Sequence, residues 1–218
     1  FYHVKNLEDF LYEKDDLHAY YTQRCNEIVF LLNRQNVVEA YKLATTLSQE
    51  LLQRKLDNEM YMAYNMMGHI YNYSGNWENA KQCFWEVIHR MEKAGYHESI
   101  PPIYMNLVNV EMSLNHTAEA MRLLDKAVEI AAKASPQRLF DIETRRTLLY
   151  YSINDMDKFN EGYQAYKEGV KKGFSSVHGR ELDVYHTAEQ GRIDEAVSMA
   201  MRDLSSTESY EVITKIYE

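Results

Sequence analysis

The 218 residues include 33 acidic and 24 basic side chains, a formal net charge of −9 that argues against the clustered basic field needed to hold nucleic acid. Eight Gly and three Pro are few for this length and argue against sandwiches, barrels and flexible linkers. Eighteen Tyr and eleven Met, within an apolar share of 45%, suit long helix–helix seams where bulky side chains fill irregular gaps.

Taken in chain order, residues 3–13 read as a leftover or capping helix. Beyond them, apolar periodicity and stop signals predict helices in pairs. First helices fall at 16–34, 58–74, 100–114, 137–153 and 177–190, and second helices at 36–54, 77–94, 117–134, 156–172 and 192–203. Residues 207–217 open one more unit. Pro101, Pro102 and Pro136 sit where helices begin, as proline in a first turn prefers, and Gly75, Gly95, Gly173 and Gly191 sit at turns. Lys167, Lys171 and Lys172, the densest basic stretch, lie at a helix end and read as compensation of its dipole. Cys25 and Cys83 read as two buried, reduced thiols; two cysteines leave the redox compartment open. No apolar run reaches membrane-spanning length and no signal peptide is visible. The chain opens Phe1-Tyr2-His3 and closes on Lys215-Ile216-Tyr217-Glu218 in mid-pattern, which reads as a piece of a longer protein.

Five stretches share one chemistry: a polar turn, a bulky residue, then an acidic or Asn residue before a small one. The small residues are Ala40, Ala80, Ala120, Gly162 and Ala196, at intervals of 40, 40, 42 and 34. Antiparallel helices joined by a short turn approach closest just after that turn, where Ala or Gly lets the backbones meet. In the second stretch, Tyr64-x-x-Met67-Gly68-x-x-Tyr71, Gly75 and Ala80-x-x-x-Phe84 resemble the tetratricopeptide repeat (TPR) pattern W-x2-L-G-x2-Y…A-x3-F. The third keeps Tyr104, Leu107, Ala120 and Leu124 but has Val108 for Gly and Glu111 for Tyr. The fourth offers Leu149, Tyr150, Gly162 and Tyr166. The first keeps Ala40 with Ala44, and the fifth Ala196 with Ala200.

The resemblance implies an all-α fold, a right-handed α-solenoid of antiparallel helix pairs forming one domain over 1–218. Its repeats would be 16–56, 57–97, 98–135, 136–174 and 175–204, with 1–15 and 205–218 as partial ends. Intervals near forty make each unit longer than the usual 34. In this the chain is similar to the TPR regions of bacterial sensor histidine kinases and regulators.

No catalytic spacing is present: no H-E-x-x-H, Gly-rich phosphate loop, C-x-x-C or G-x-S-x-G. The eight His are scattered, and none is expected to pair with a carboxylate at ligand spacing. An enzyme would need a site that no motif announces. The sequons at Asn72 and Asn115 lie at helix–turn junctions, where Asn is expected for local hydrogen bonding. No cofactor or metal is expected.

In a TPR stack the first helices line the inner surface. The resemblance places Met62, Asn65, His69, Asn72 and Tyr73 there in repeat two. It places Met105, Asn109 and Met112 there in repeat three, and Thr147, Tyr151 and Asn154 in repeat four. Amide side chains can grip an extended peptide backbone, and Met and Tyr give adaptable apolar contact. The same residues at helical spacing also read as packing between neighbouring first helices. The face lacks the Lys and Arg of a carboxylate-clamping type, so no such clamp is expected. The implied function is a protein- or peptide-binding module, the sensory or interaction region of a larger bacterial signalling protein. It would be periplasmic as a sensor-kinase arm and otherwise cytoplasmic. This fragment would contact neither nucleic acid nor membrane. A structural scaffold that self-associates, with a homodimer as its product, is the other reading.

Overall fold

The computed structural model describes residues 16–204 and 206–217. The helix expected over 3–13 lies outside them. Eleven α-helices follow in order: α1 Leu17–Asn33, α2 Val37–Gln53, α3 Met60–Tyr73, α4 Trp77–Ala94, α5 Pro101–Ser113, α6 Thr117–Ala134, α7 Pro136–Ser152, α8 Met156–Lys171, α9 Gly179–Glu189, α10 Ile193–Asp203 and α11 Ser206–Tyr217. A 3-10 turn, His97–Ser99, precedes α5. The described residues contain no strand. Every helix begins and ends within two residues of the position that its periodicity predicts.

One turn, repeated five times, builds the hairpins. Gln35, Gly75, Asn115, Asn154 and Gly191 each have positive φ, between 60° and 77°, just past a first helix. The next residue then donates its N–H to the carbonyl five positions back. These bonds are Asn36 to Leu31 (2.9 Å), Asn76 to Tyr71 (2.8 Å), His116 to Glu111 (2.8 Å), Asp155 to Tyr150 (2.9 Å) and Arg192 to Thr187 (3.3 Å). This is a Schellman closure, which satisfies carbonyls left open at a helix end. The residue that closes one helix also starts the next: Asn36 accepts from the N–H of Glu39, and Asp155 from that of Lys158. The reversal is therefore three residues long and leaves the paired helices antiparallel.

These turns recur at intervals of 40, 40, 39 and 37, and that register corrects the sequence alignment of the fourth pair. Five residues after the turn stand Ala40, Ala80, Ala120 and Ala196, all fully buried, but in the fourth pair the place belongs to Phe159. Gly162 has a different use. A Cβ there would collide with the hydroxyl of Thr147, which occupies on α7 the place Gly68 holds on α3. In the second pair the hollow is on the first helix, and a Cβ on Gly68 would fall 2.6 Å from Cε1 of Phe84. The fourth pair has the hollow on the second helix. Close approach needs one small residue per contact, and either helix can supply it.

By contacts the chain divides into two compact units, Phe1–Lys126 and Ala127–Glu218, the division falling inside α6. In the first, α1 packs on α2 and α3, α2 on α3, α3 on α4, and α4 on α5. Its core gathers Tyr21, Ile28, Leu47, Leu51, Met60, Met66 and Ile70. In the second, α7 packs on α8 and α9, α9 on α10 and α11, and α10 on α11. Phe159, Tyr163, Leu182, Val184, Tyr185 and Val212 form its core. In both units first helices thus touch first helices as well as their own partners. A helix flanked in this way must be apolar on more than one side, and α3, packed on α1, α2 and α4, is. The second helices α4 and α6 instead keep one sharply apolar stripe.

Candidate functional site

The inner-helix residues of the first unit come from α3 and α5. Helix α3 contains no Asp, Glu, Lys or Arg, and α5 contains only Glu111, in a chain that is 26% charged. Glu111 does not reach the surface. It is fully buried, with Oε1 2.6 Å from Nζ of Lys81 on α4 and Oε2 2.9 Å from Nδ1 of His116 in the following turn. The bonded carboxylate raises the Lys81 ammonium above its ordinary pKa. Surface charge is thus absent from both helices.

The predicted face residues divide by depth. Met62 and Met105 are buried, with Met62 in the core cluster. Long unbranched side chains suit the irregular gaps between packed helices. His69 turns toward its own second helix and meets Phe84 edge-on at 5.4 Å, and burial lowers its pKa. Asn65, Asn72 and Met112 are half-buried, while Asn109 and Tyr73 are exposed, Tyr73 by 49%. Asn65 is distinctive. Its carboxamide oxygen is buried and accepts no hydrogen bond. In the second unit Thr147 is buried and donates its hydroxyl to the carbonyl of Glu143 at 2.9 Å. Tyr151 is half-buried and stacked on Tyr185, ring centroids 4.1 Å apart. Asn154 serves the turn at φ 60°.

Two features of this region were not drawn from the sequence. The scarcity of charge along α3 and α5, a single Glu between them, could have been read by counting along each helix. The Glu111 cluster could not, because Lys81 lies thirty residues away on a different repeat. His116 also overturns the expectation that no histidine meets a carboxylate. The two are five residues apart, a spacing that a helix would not bring together but that the Schellman turn does. Both cysteines are free and half-buried rather than buried, and burial pushes the Cys25 thiol up to about 12. No group of three or more His, Cys, Asp or Glu among the described residues could hold a metal ion. No described helix is long and apolar enough to cross a membrane.

Residues 62–88 and residues 103–136 match two models of the tetratricopeptide repeat. These are the second and third helix pairs, and the matches support the TPR superfamily. No curated protein matches the chain. Among solved structures, 25 chains match. One is the crystal structure of BtubC (BKLC) from P. vanneervenii, which is 16% identical with a TM-score of 0.68, over 98% of this chain and 88% of that one. At that identity the likeness concerns the fold: an all-α array of TPR-type helix pairs.

Proposed function

We propose that the chain is a protein- or peptide-binding module whose contact surface is the uncharged inner-helix face of the first unit. Asn65, Asn72, Tyr73, Asn109 and Met112 supply its accessible groups. Repeats of this kind generally mediate contacts between proteins. The observation that carries the reading is the buried, unbonded carboxamide oxygen of Asn65. An acceptor removed from water without a donor is costly, and a turn of the half-buried Asn65 side chain would present it to a peptide N–H on this face. Asn109, exposed and with its side chain unbonded among the described residues, offers a second amide on α5, the next first helix in the chain. With no exposed charge on either helix, such a contact would depend little on salt.

The proposal extends to the setting that the long repeat implies, a sensory or interaction region of a larger bacterial signalling protein. What supports that part is repeat length, with turns 40, 40, 39 and 37 residues apart. The sequence flanking this segment in its gene tests it directly.

The binding reading is tested by selecting peptides from a random library on the native chain and measuring the best by calorimetry. Asn65→Ala with Asn109→Ala should weaken binding by about tenfold or more, since each removes a hydrogen-bonding group worth roughly 1 kcal/mol. The melting temperature should stay near wild type. Undiminished affinity with a large loss of stability would make both residues packing elements and remove the proposal. Concentration-dependent dimerisation that leaves no peptide selected would favour the scaffold reading.

A further inference from the structure

The first unit also holds a cavity of about 330 Å³ walled by α2, α3 and α4. On α3 it takes Tyr64, Met67 and Tyr71. It shares no residue with the proposed peptide face. Met67 stands two positions from both Asn65 and His69, and two residues turn a helix by roughly 200°, so the cavity opens on the other side of α3. Tyr41, Ser48 and Gln49 of α2 form the facing wall, and Cys83 of α4 closes the back.

The chemistry of the wall is narrow. No Asp, Glu, Lys, Arg or His lines it. Burial holds the Tyr71 phenol and the Cys83 thiol above their ordinary pKa values, so neither carries charge at neutral pH. A nearby cation, Arg90, stands 5.0 Å from the centre of the Tyr64 ring and is already held by Glu86 at 2.7 Å. Ser48 and Gln49 have no side-chain hydrogen bond among the described residues, whereas Thr45 beside them is committed to the carbonyl of Tyr41. Ligand pockets typically combine aromatic and apolar walls with a few convergent polar groups in roughly 300–1,000 Å³, and this one lies at the small end of that range.

We propose that this cavity is a second binding site, for a small uncharged ring-bearing molecule about the size of indole. The ring lies against Tyr64, Met67 and Tyr71, and its single N–H or O–H is directed at Ser48 or Gln49. A charged ligand is disfavoured because the wall offers no counter-ion and entry removes the charge from water. The larger cavity of the second unit, about 740 Å³, is lined by Arg146, Lys158, Lys172, Glu143, Glu161 and Glu168 among others and would not make this selection.

The test uses the native chain labelled with [13C-methyl]methionine and titrated with indole, the Met67 signal being assigned with Met67→Leu. Met67 should shift saturably while Met112 and Met199 do not. Indole-3-carboxylate, the same ring with a charge, should need about tenfold more for the same shift. Ser48→Trp, which fills the cavity from α2, should abolish the shift without changing the melting temperature. Independently, indole should slow alkylation of Cys83 by iodoacetamide several-fold in wild type, read by peptide mass, and leave Cys25 unaffected. Equal shifts at all three methionines, equal response to the carboxylate, or a full response in Ser48→Trp would overturn the proposal. So would a Met67 shift produced by a tryptophan-bearing peptide but not by free indole, which would make the cavity a protein-docking site.

Discussion

The two units use one hairpin and fill it with different materials. The same positive-φ turn and the same five-back hydrogen bond close pairs in both. In the first unit the inner helices α3 and α5 are packed with Met, Ile, Val and Leu and carry no exposed charge. In the second, α7 and α9 carry Arg138, Asp141, Glu143, Arg145 and Arg146, then Arg180, Glu181, Asp183 and Glu189. Its interior is a run of aromatic contacts instead. Phe159 meets Tyr151 at 5.1 Å, Tyr151 stacks on Tyr185 at 4.1 Å, and Tyr163 stacks on His186 at 3.8 Å. Backbone closure is thus independent of side-chain choice, and each unit is free to present a different surface. An uncharged face suits amide and apolar recognition, whereas a mixed-charge face is occupied by its own ion pairs, such as Arg146 with Glu143 at 2.6 Å.

The comparison can be broken most sharply at Phe159. Phe159→Ala should cost about 3–5 kcal/mol through the cavity it leaves. Both tryptophans, Trp77 and Trp85, lie in the first unit, so their fluorescence reports that unit while circular dichroism reports all helices. In urea the dichroism transition should move to lower denaturant and the fluorescence transition should move less. Equal movement would show one cooperative array and erase the distinction between units.

A smaller effect is expected at the buried carboxylate of the first unit. Glu111→Ala leaves Lys81 and His116 without their acceptor and should cost about 1–3 kcal/mol, read from tryptophan fluorescence. Adding Lys81→Met should recover part of the loss, giving a measurable coupling between α4 and α5. Additive losses would mean that Lys81 is solvated well enough to ignore its partner.

Next come the two hollows. Gly68→Ala drives a Cβ into Phe84 and should destabilise by roughly 1–2 kcal/mol, an overpacking penalty reduced by the better helix propensity of Ala. Gly162→Ala should do the same in the second unit, and Thr147→Ala should relieve it there because Thr147 is what the new Cβ meets. If the second change brings no relief, the fourth pair does not carry its hollow where its geometry places it.

The smallest effect is one of pH. Burial lowers the pKa of His69 below its ordinary 6.5, so below that value the unfolded chain binds more protons than the folded one. The stability contributed by the neutral ring is present above about pH 6.5 and is lost as pH falls toward the lowered folded value. His69→Phe, which keeps a ring beside Phe84, should flatten that limb in fluorescence-monitored melts. The matching limb from His186 should be shallower. Burial lowers that pKa too, with Arg192 and Lys167 adding to it and Glu189 and Asp183 opposing it. A steeper limb from the second unit would reverse this ordering.

Helix positions were legible because period, proline and turn residues act locally, as Pro136 behind the Ser135 cap illustrates. Register within the fourth pair was not. Gly162 and Phe159 are three residues apart on one helix, and choosing which is the small partner needed the opposing Thr147. The candidate face could be written from the sequence as a set of positions, but their depths could not. Nothing in the spacing tells Met105, which is buried, from Asn109, which is exposed one turn later.

From the chain alone came the helices, their pairing and the recurrence near forty, because these depend on contacts between neighbours in sequence. Tertiary packing alone decided the division inside α6, the burial of Glu111 against Lys81, and the neutral cavity between α2, α3 and α4. Each of these depends on residues from separate repeats meeting in space, and no local pattern records which of them will.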